Sequence, residues 1–391
     1  MELLVTIICG ASFLWWAELA FEWWLAARVG KDLADLPEPS VDVSLSVIVP
    51  ARNEEQYIEP ALESILHALP GNGEVILVND RSTDKTGLIA HRLAREDARL
   101  KVIDITEVPE GWLGKTNAMQ VGYGVSTRDY LLFTDADIIF KSGCLARAVW
   151  FCQREGIDHL VATPRMITSG FWERVFVCFF SILLMSRFRI WRASISKSRS
   201  FAGIGAFNLV NRTAYEKAGT HLAIKGEVVD DLLLGRLMKS SGGKQQVVSG
   251  ERCLQVRWHE GLRGLIHGLE KNAFAGFDYS PVHTVAGCIA LILITVLPGI
   301  LPILYLTFPD SGTSIFSAAA GSGVWISFAI LYALISRASG IGRLYFLTFP
   351  IGSFLLVWTI IRSMILYYVH GGVKWRGTVY KRGEGGIGKE E

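Results

Sequence analysis

The chain has 391 residues, 50% of them apolar, and 39 Lys and Arg against 37 Asp and Glu give a net charge of +2. A mean hydropathy of +0.33 excludes an ordinary soluble chain. The basic residues are dispersed and never interleaved with aromatics, so nucleic acid is not an expected partner. Six cysteines show neither metal-ligand spacing nor a paired framework and read as small apolar residues in a reducing compartment.

Residues from about 3 to 27 form an apolar run long enough to cross a bilayer. The run starts Met1-Glu2, lacks a basic leader and a small-residue cleavage site, and so reads as a retained anchor over 1–30. Glu18 and Glu22 share a helix face. Each would cost about 2.5–3.5 kcal/mol at the bilayer centre, so that face should meet protein, water or headgroups. Trp15, Trp16, Trp23 and Trp24 fit an interfacial belt, and Arg28 and Lys31 place the globular segment after the anchor on the cytoplasmic side.

The segment 40–280 alternates short apolar strands with helical stretches. Strands are expected at Leu45–Val49, Val75–Val78, Leu100–Ile105, Leu131–Phe133 and His159–Ala162. Helices should start near Glu54, after Ser82-Thr83-Asp84, through Asn117-Ala118-Met119 and from Ser142. Strands that are continuously apolar are buried on both faces, which implies a mostly parallel sheet in a doubly wound α/β domain. Residues 171–192 carry an apolar stretch bounded by Glu173/Arg174 and by Arg187/Arg189/Arg192. The stretch is too short to span, and fits an amphipathic helix in the membrane interface; a buried core helix is the other reading. Residues 281–370 hold two or three membrane segments. Three full spans would leave Lys374, Arg376, Lys381 and Arg382 on the wrong side, so 344–369, with Pro350-Ile-Gly352, stays open between a span and a re-entrant or interfacial segment. A basic, Gly-rich tail closes the chain over 371–391.

Acidic residues at strand ends carry the chemistry. Tyr130-Leu-Leu-Phe-Thr-Asp135-Ala-Asp137 puts two carboxylates at the carboxyl edge of the sheet, where open α/β folds bind ligands. Such carboxylates suit a hard divalent cation, Mg²⁺ or Mn²⁺, that also holds substrate phosphates. Glu74-Val-Ile-Leu-Val-Asn79-Asp80 ends another strand, where Asp80 can accept from a base N–H or a ribose hydroxyl; Ser82 or Thr83 would cap the next helix. Pro50-Ala51-Arg-Asn53-Glu54-Glu55 is either a loop reaching a nucleoside or a helix start with Asn53 as N-cap. Lys115, in Gly111-Trp-Leu-Gly114-Lys115, opens a helix and can balance a diphosphate. Glu227-Val-Val-Asp230-Asp231 starts a helix with Leu232, Leu233 and Leu237 as its apolar face; one of the two aspartates can serve as a general base. Arg257 can neutralise a leaving diphosphate and Trp258 can stack on a sugar; a basic, aromatic juxtamembrane stretch is the other reading, and His259 shares it.

Taken in this order, the motifs resemble the inverting family 2 glycosyltransferases, over about residues 44–275. The resemblance implies a GT-A catalytic domain, a nucleotide-sugar donor and a divalent cation. It maps Pro50, Ala51, Asn53 and Glu54 to the opening nucleotide loop, and Asp80 to the nucleoside. It maps Asp135 and Asp137 to the donor diphosphate and metal, with Asp137 the leading metal ligand, and Asp231 to the base, with Asp230 beside it. Gly203-Ile-Gly205-Ala-Phe resembles the floor of the acceptor site. The membrane segments and the closing Val373-Lys-Trp375-Arg-Gly377-Thr-Val-Tyr380 look most like the hopene-associated and carotenoid-acid groups. Those imply a membrane lipid acceptor, a hopanoid or a carotenoid, at a bacterial inner membrane with the catalytic domain in the cytoplasm. Leu254 stands where processive and lipid enzymes carry Gln or Arg, which argues against polymer synthesis. Two alternatives remain: a polyprenyl-phosphate sugar synthase, and a membrane scaffold with a degenerate transferase domain.

Overall fold

The computed structural model describes residues 2–39, 42–258, 260–308, 310, 312–375 and 378–380. His259, Arg376, Gly377 and the tail from Lys381 lie outside the described residues, as do the side chains of Lys271, Asn272 and 373–380. The described chain divides into two compact units: 2–29, 168–187 and 258–380 in one, and 30–167 and 188–257 in the other.

Helix α1 (Glu2–Val29) opens the first unit. The second begins with β1 (Leu45–Ala51), α2 (Ile58–Ala68), β2 (Gly73–Asp80), α3 (Thr86–Glu96) and β3 (Leu100–Ile105). It continues through α4 (Gly114–Val125), β4 (Tyr130–Phe133), β5 (Ile139–Phe140), α5 (Cys144–Glu155), β6 (His159–Thr163) and β7 (Arg165–Met166). After α6 (Phe171–Phe188) come β8 (Asn208–Asn211), α7 (Arg212–Ala218), α8 (Asp230–Ser240), β9 (Gln245–Ser249) and β10 (Leu254–Val256). The chain then forms α9 (Gly261–Ala273), α10 (Pro281–Thr307), α11 (Ile315–Ser339), α12 (Phe349–His370) and a hairpin of β11 (Val373–Trp375) and β12 (Thr378–Tyr380).

The sheet unit is built on seven strands in the order β3-β2-β1-β4-β8-β6-β9. Alternate residues explain the two-faced burial. Val47, Val75 and Leu132 point into one core, whereas Ile48, Ile76 and Leu131 point into the other, and all are inaccessible. Each such side chain contributes about 1.5–3 kcal/mol by its burial. Pairing is parallel except at β8, which runs antiparallel to both β4 and β6. Thus the strand at His159 joins the sheet across β8 rather than beside β4. The register aligns Ala51 with Asn79 and Ile48 with Phe133, so β1, β2 and β4 end along one edge.

Several local expectations are corrected. Helix α2 starts at Ile58 with no side-chain cap, so Asn53 is not its N-cap. Helix α3 starts at Thr86 and is not capped by Ser82 or Thr83; Asp84 accepts from the Thr86 N–H at 2.9 Å instead. In α8 the buried stripe is Asp230, Leu234 and Met238, with Leu233 and Leu237 only partly covered. Three consecutive leucines fit more than one stripe, and the closest neighbouring backbone selects the one through Gly235.

In the other unit, four helices among the described residues are long and apolar enough to cross a membrane: Glu2–Val29, Pro281–Thr307, Ile315–Ser336 and Arg343–His370. Trp16 is not part of an interfacial belt. It is fully buried, 4.5 Å from Phe328 between ring centroids, and its indole N–H donates to the Ile294 carbonyl at 2.9 Å. Pro350 does not interrupt a helix but sits in the first turn of α12, where a missing N–H costs nothing. Helix α6 belongs to this unit; it buries Val175, Phe176, Phe179 and Ile182 and exposes Phe171, Trp172 and Leu184. Glu173 fixes its start, accepting from the N–H groups of Ser169 (2.7 Å) and Gly261 (2.6 Å).

Candidate active site

At the shared edge, the loops after β1 and β2 are laced together. Asn53 adopts a positive φ of 54° and donates its N–H to Ser82 Oγ at 3.0 Å, while its side-chain oxygen accepts from the Thr83 N–H at 2.8 Å. The Glu54 N–H donates to Thr86 Oγ1 at 2.7 Å and the Glu55 N–H to Asp84 Oδ2 at 3.1 Å. Pro50 lies past the last residue of β1 that pairs with β4, where its missing N–H leaves no gap in that ladder. Ala51 ends the strand, buried.

Asp80, at the end of β2, is also buried. Its two oxygens accept from the Arg81 guanidinium at 2.7 and 3.1 Å, a fork-to-fork pair. The α4 start presses on it: a Cβ at Gly114 would lie 2.1 Å from Asp80 Oδ2. The next residue, Lys115, projects from that helix start. Its ammonium lies 2.8 Å from Asp135 Oδ1 and 3.3 Å from Asp230 Oδ2. Leu113 and Thr116 both donate to the Lys225 carbonyl, which ties the α4 start to the loop that leads into α8.

Gly205 joins the remaining acids. Its carbonyl accepts from the Asp135 N–H at 3.0 Å and its own N–H donates to Asp231 Oδ2 at 2.8 Å. A Cβ there would stand 2.4 Å from the Asp135 carboxylate, so only glycine allows the approach. The other Asp231 oxygen accepts from the Leu232 N–H at 2.8 Å. Asp231 is half-buried; Asp230 is 3% exposed, and its Oδ2 faces the Lys115 ammonium.

Electrostatics follow from this crowding. Burial raises the Asp137 carboxyl to about 7, helped by the negative charges of Asp135 and Glu54. Burial likewise raises Asp230 to about 6, with Lys115 pulling the other way. Burial opposes the Lys115 charge, yet Asp135, Asp230 and Asp231 hold its pKa well above the usual lysine value. A carboxylate pair held together at this cost is the donor set a hard divalent cation relieves. Among the described residues no three His, Cys, Asp or Glu side chains form a cage, so a cation here would complete its shell with donor phosphates and water.

The structure therefore gathers Glu54, Lys115, Asp135, Asp137, Asp230 and Asp231, and sets Asp80 against the same helix start. Arg257 follows β10 at the end of the sheet unit. Trp258 belongs to the membrane unit, with its ring 5.1 Å from that of Phe180. Sequence reasoning missed Arg81 as the partner of Asp80, although its position directly after the aspartate was a usable signal.

Residues 46–219 match the profile of Glycosyl transferase family 2. The chain carries a family 2 glycosyltransferase domain. It is 26% identical over 238 residues to the 4,4'-diaponeurosporenoate glycosyltransferases of Staphylococcus aureus strains MRSA252 and USA300, covering 60% of this chain and 61% of each relative. The match thus spans about three fifths of the relatives' length. A mannosyltransferase from Pyrobaculum calidifontis, solved with GDP-Man and Mn²⁺, superposes with a TM-score of 0.51 at 17% identity, over 91% of this chain and 99% of that one. That likeness concerns the fold, which is GT-A: a mostly parallel sheet flanked by helices, here accompanied by one N-terminal and three C-terminal candidate membrane helices.

Proposed function

We propose that this protein transfers a single sugar from a nucleotide-diphosphate donor, a UDP-sugar, to a membrane lipid, with inversion at the anomeric carbon. The observation that carries this reading is the convergence of Lys115, Asp135, Asp137, Asp230 and Asp231 around Gly205, beside the laced loops at the strand ends. Asp135 and Asp137 would hold Mg²⁺ or Mn²⁺, which supplies Lewis acidity to the departing nucleotide. Lys115 would share its charge between these carboxylates and the donor diphosphate, with Arg257 neutralising it further. Pro50, Ala51, Asn53, Glu54 and Asp80 would hold the nucleoside, and Trp258 would meet the sugar.

Asp231 is the base in this scheme. Two backbone N–H groups fix its carboxylate, and lone pairs remain to take a proton from an acceptor hydroxyl. As the proton moves to Asp231, the acceptor oxygen bonds to the anomeric carbon and the bond to the diphosphate breaks, with its electron pair leaving on the nucleotide. Asp230, buried against Lys115, orients that ammonium. The membrane helices support a lipid acceptor. The carotenoid-acid name of the Staphylococcus relatives supports a terpenoid one, carotenoid or hopanoid. The catalytic domain would face the cytoplasm at a bacterial inner membrane, where nucleotide sugars are made.

Mass spectrometry of lipid extracts from cells with and without this gene tests the reading. One lipid gaining the mass of a single hexose or N-acetylhexosamine only when the gene is present is the expected result. Identical extracts, together with no Mn²⁺-dependent UDP binding by calorimetry, would overturn it.

A further inference from the structure

Behind the carboxylate site lies a buried polar cluster that the transfer chemistry does not use. Gln245, the first residue of β9, is 2% exposed, His159 on β6 is inaccessible, and Asn208 on β8 is 2% exposed. Gln245 Oε1 accepts from the Ala202 N–H at 2.9 Å. Its Nε2 faces the carbonyls of Ala202 (3.0 Å) and Gly235 (3.2 Å) and the His159 Nδ1 (2.7 Å). Backbone carbonyls only accept and a backbone N–H only donates, so the amide has one possible orientation. His159 Nδ1 is then the acceptor, and the ring proton sits on Nε2, which donates to Asn208 Oδ1 at 3.1 Å. Burial lowers the imidazole pKa to about 4, in keeping with a neutral ring. Asn208 in turn donates Nδ2 to the Ile204 carbonyl at 2.9 Å and accepts from the Ile204 N–H at 3.4 Å.

Two side-chain amides therefore grip Ala202 and Ile204 at both backbone groups, and His159 links the amides to each other. The gripped segment ends at Gly205, whose N–H holds Asp231 and whose carbonyl holds the Asp135 N–H. The same Gln245 amide also takes the Gly235 carbonyl of α8, the helix that carries Asp231. One buried network thus fixes the base from two sides, through the strip facing it and through its own helix. The backbone groups of buried Ala202 and part-buried Ile204 need partners, and side chains from β8 and β9, joined through His159, supply them; apolar side chains of equal volume would not.

We propose that Gln245, His159 and Asn208 are positioning residues that hold segment 202–205 and, through the Gly205 N–H, aim the Asp231 carboxylate at the acceptor. The proposal rests on Asp231 being the base. Its test uses Gln245→Glu, Gln245→Leu and Asn208→Asp in the full-length protein, with Asp231→Asn alongside. Two measurements are made: transfer of label from UDP-glucose into organic-soluble product, and amide hydrogen exchange of segment 202–208, with UDP affinity in the presence of Mn²⁺ as the control. The expected result is a fall in kcat of about tenfold or more with UDP affinity nearly unchanged. Exchange in 202–208 should quicken about tenfold while α2 and α3 keep their protection. Unaltered exchange in 202–208, or faster exchange throughout the sheet unit, overturns the clamp. So does a kcat that falls only in step with the folded fraction. Retained turnover in Asp231→Asn overturns the base assignment instead, and the exchange result still decides whether the clamp exists.

Discussion

The two units lean different ways in satisfying their polar side chains, although Trp16, Trp325 and Ser363 bond across helices in the membrane unit and Ser64, Ser126 and Ser240 back-bond locally in the sheet unit. In the membrane unit, Ser12, Thr284, Thr295, Ser322, Ser327, Ser339 and Thr359 each return their hydroxyl to the carbonyl four residues earlier in the chain. In the sheet unit, Thr134 reaches the Ala206 carbonyl, Thr116 the Lys225 carbonyl, and Gln245 two separate segments. Local back-bonding hides a hydroxyl without saying anything about neighbours. Bonds across elements specify where one segment stands relative to another. A site assembled from several segments needs the second kind, and Gly205 is held by two such bonds.

Substitutions break or sharpen this contrast. The largest effect is expected from Asp231→Asn, which should lower turnover on a hydroxyl acceptor by about a thousandfold while UDP binding survives; base catalysis typically supplies a factor in that range. Turnover that persists would mean an acceptor already ionised, such as a carboxylate.

Asp137→Asn comes next. It should cost most of the Mn²⁺-dependent gain in UDP affinity, read by calorimetry. It should also raise the melting temperature of the ligand-free protein, because a buried carboxyl crowded by Asp135 and Glu54 is lost. A melting temperature that falls would show Asp137 to be a stabilising group instead.

The pH dependence sharpens the same comparison. With Asp137 near 7, above its ordinary carboxylate value, this group binds more proton in the folded state than in the unfolded one between about pH 4 and about pH 7. Its contribution to ligand-free stability should therefore decline as pH rises through that window, read as the difference between the unsubstituted chain and Asp137→Asn, because the buried neutral rings of His159 and His221 act in the opposite sense. Mn²⁺-dependent UDP affinity should do the reverse, rising with pH up to about 7 as the carboxylate becomes available. Parallel trends would exclude Asp137 as the metal ligand.

Smaller again is Asn53→Ala, which removes the bond to the Thr83 N–H and should cost about 1 kcal/mol in denaturant unfolding. The smallest effect is expected in the other unit. Ser327→Ala should stay within about 0.5 kcal/mol, because only a bond to its own helix is lost.

The parts of this fold legible in the sequence were those in which one residue type carries one meaning. The apolar runs at 45–49, 75–78 and 131–133 read as strands buried on both faces, which they are, and Asp80 and Asp135 after the last two sit where those strands end. The run at 100–105 is a strand as well, but it is the outermost one, and only Leu100 in it is buried. The strand β9 escaped because it opens Gln245-Gln246, and a buried glutamine looks like a surface one until its partners are known. Asn53 was ambiguous between a cap and a loop, since both uses need the same short side-chain oxygen; only the adjoining loop decides. Trp16 and Trp15 are indistinguishable by composition, and a single helical step of about 100° puts one in the core and leaves the other exposed. Gly205 was legible only as part of a segment resembling an acceptor floor, while its contacts to Asp135 and Asp231 depend on segments 70 and 26 residues away.

The reciprocal stitching of residues 53–55 to residues 82–86 has a practical consequence for anyone redesigning these loops. Neither stretch is an independent module: exchanging one for its counterpart from another transferase strands backbone amides of the other. Chimeras should move both together, and single-loop transplants should fold poorly even when the imported sequence is sound in its parent.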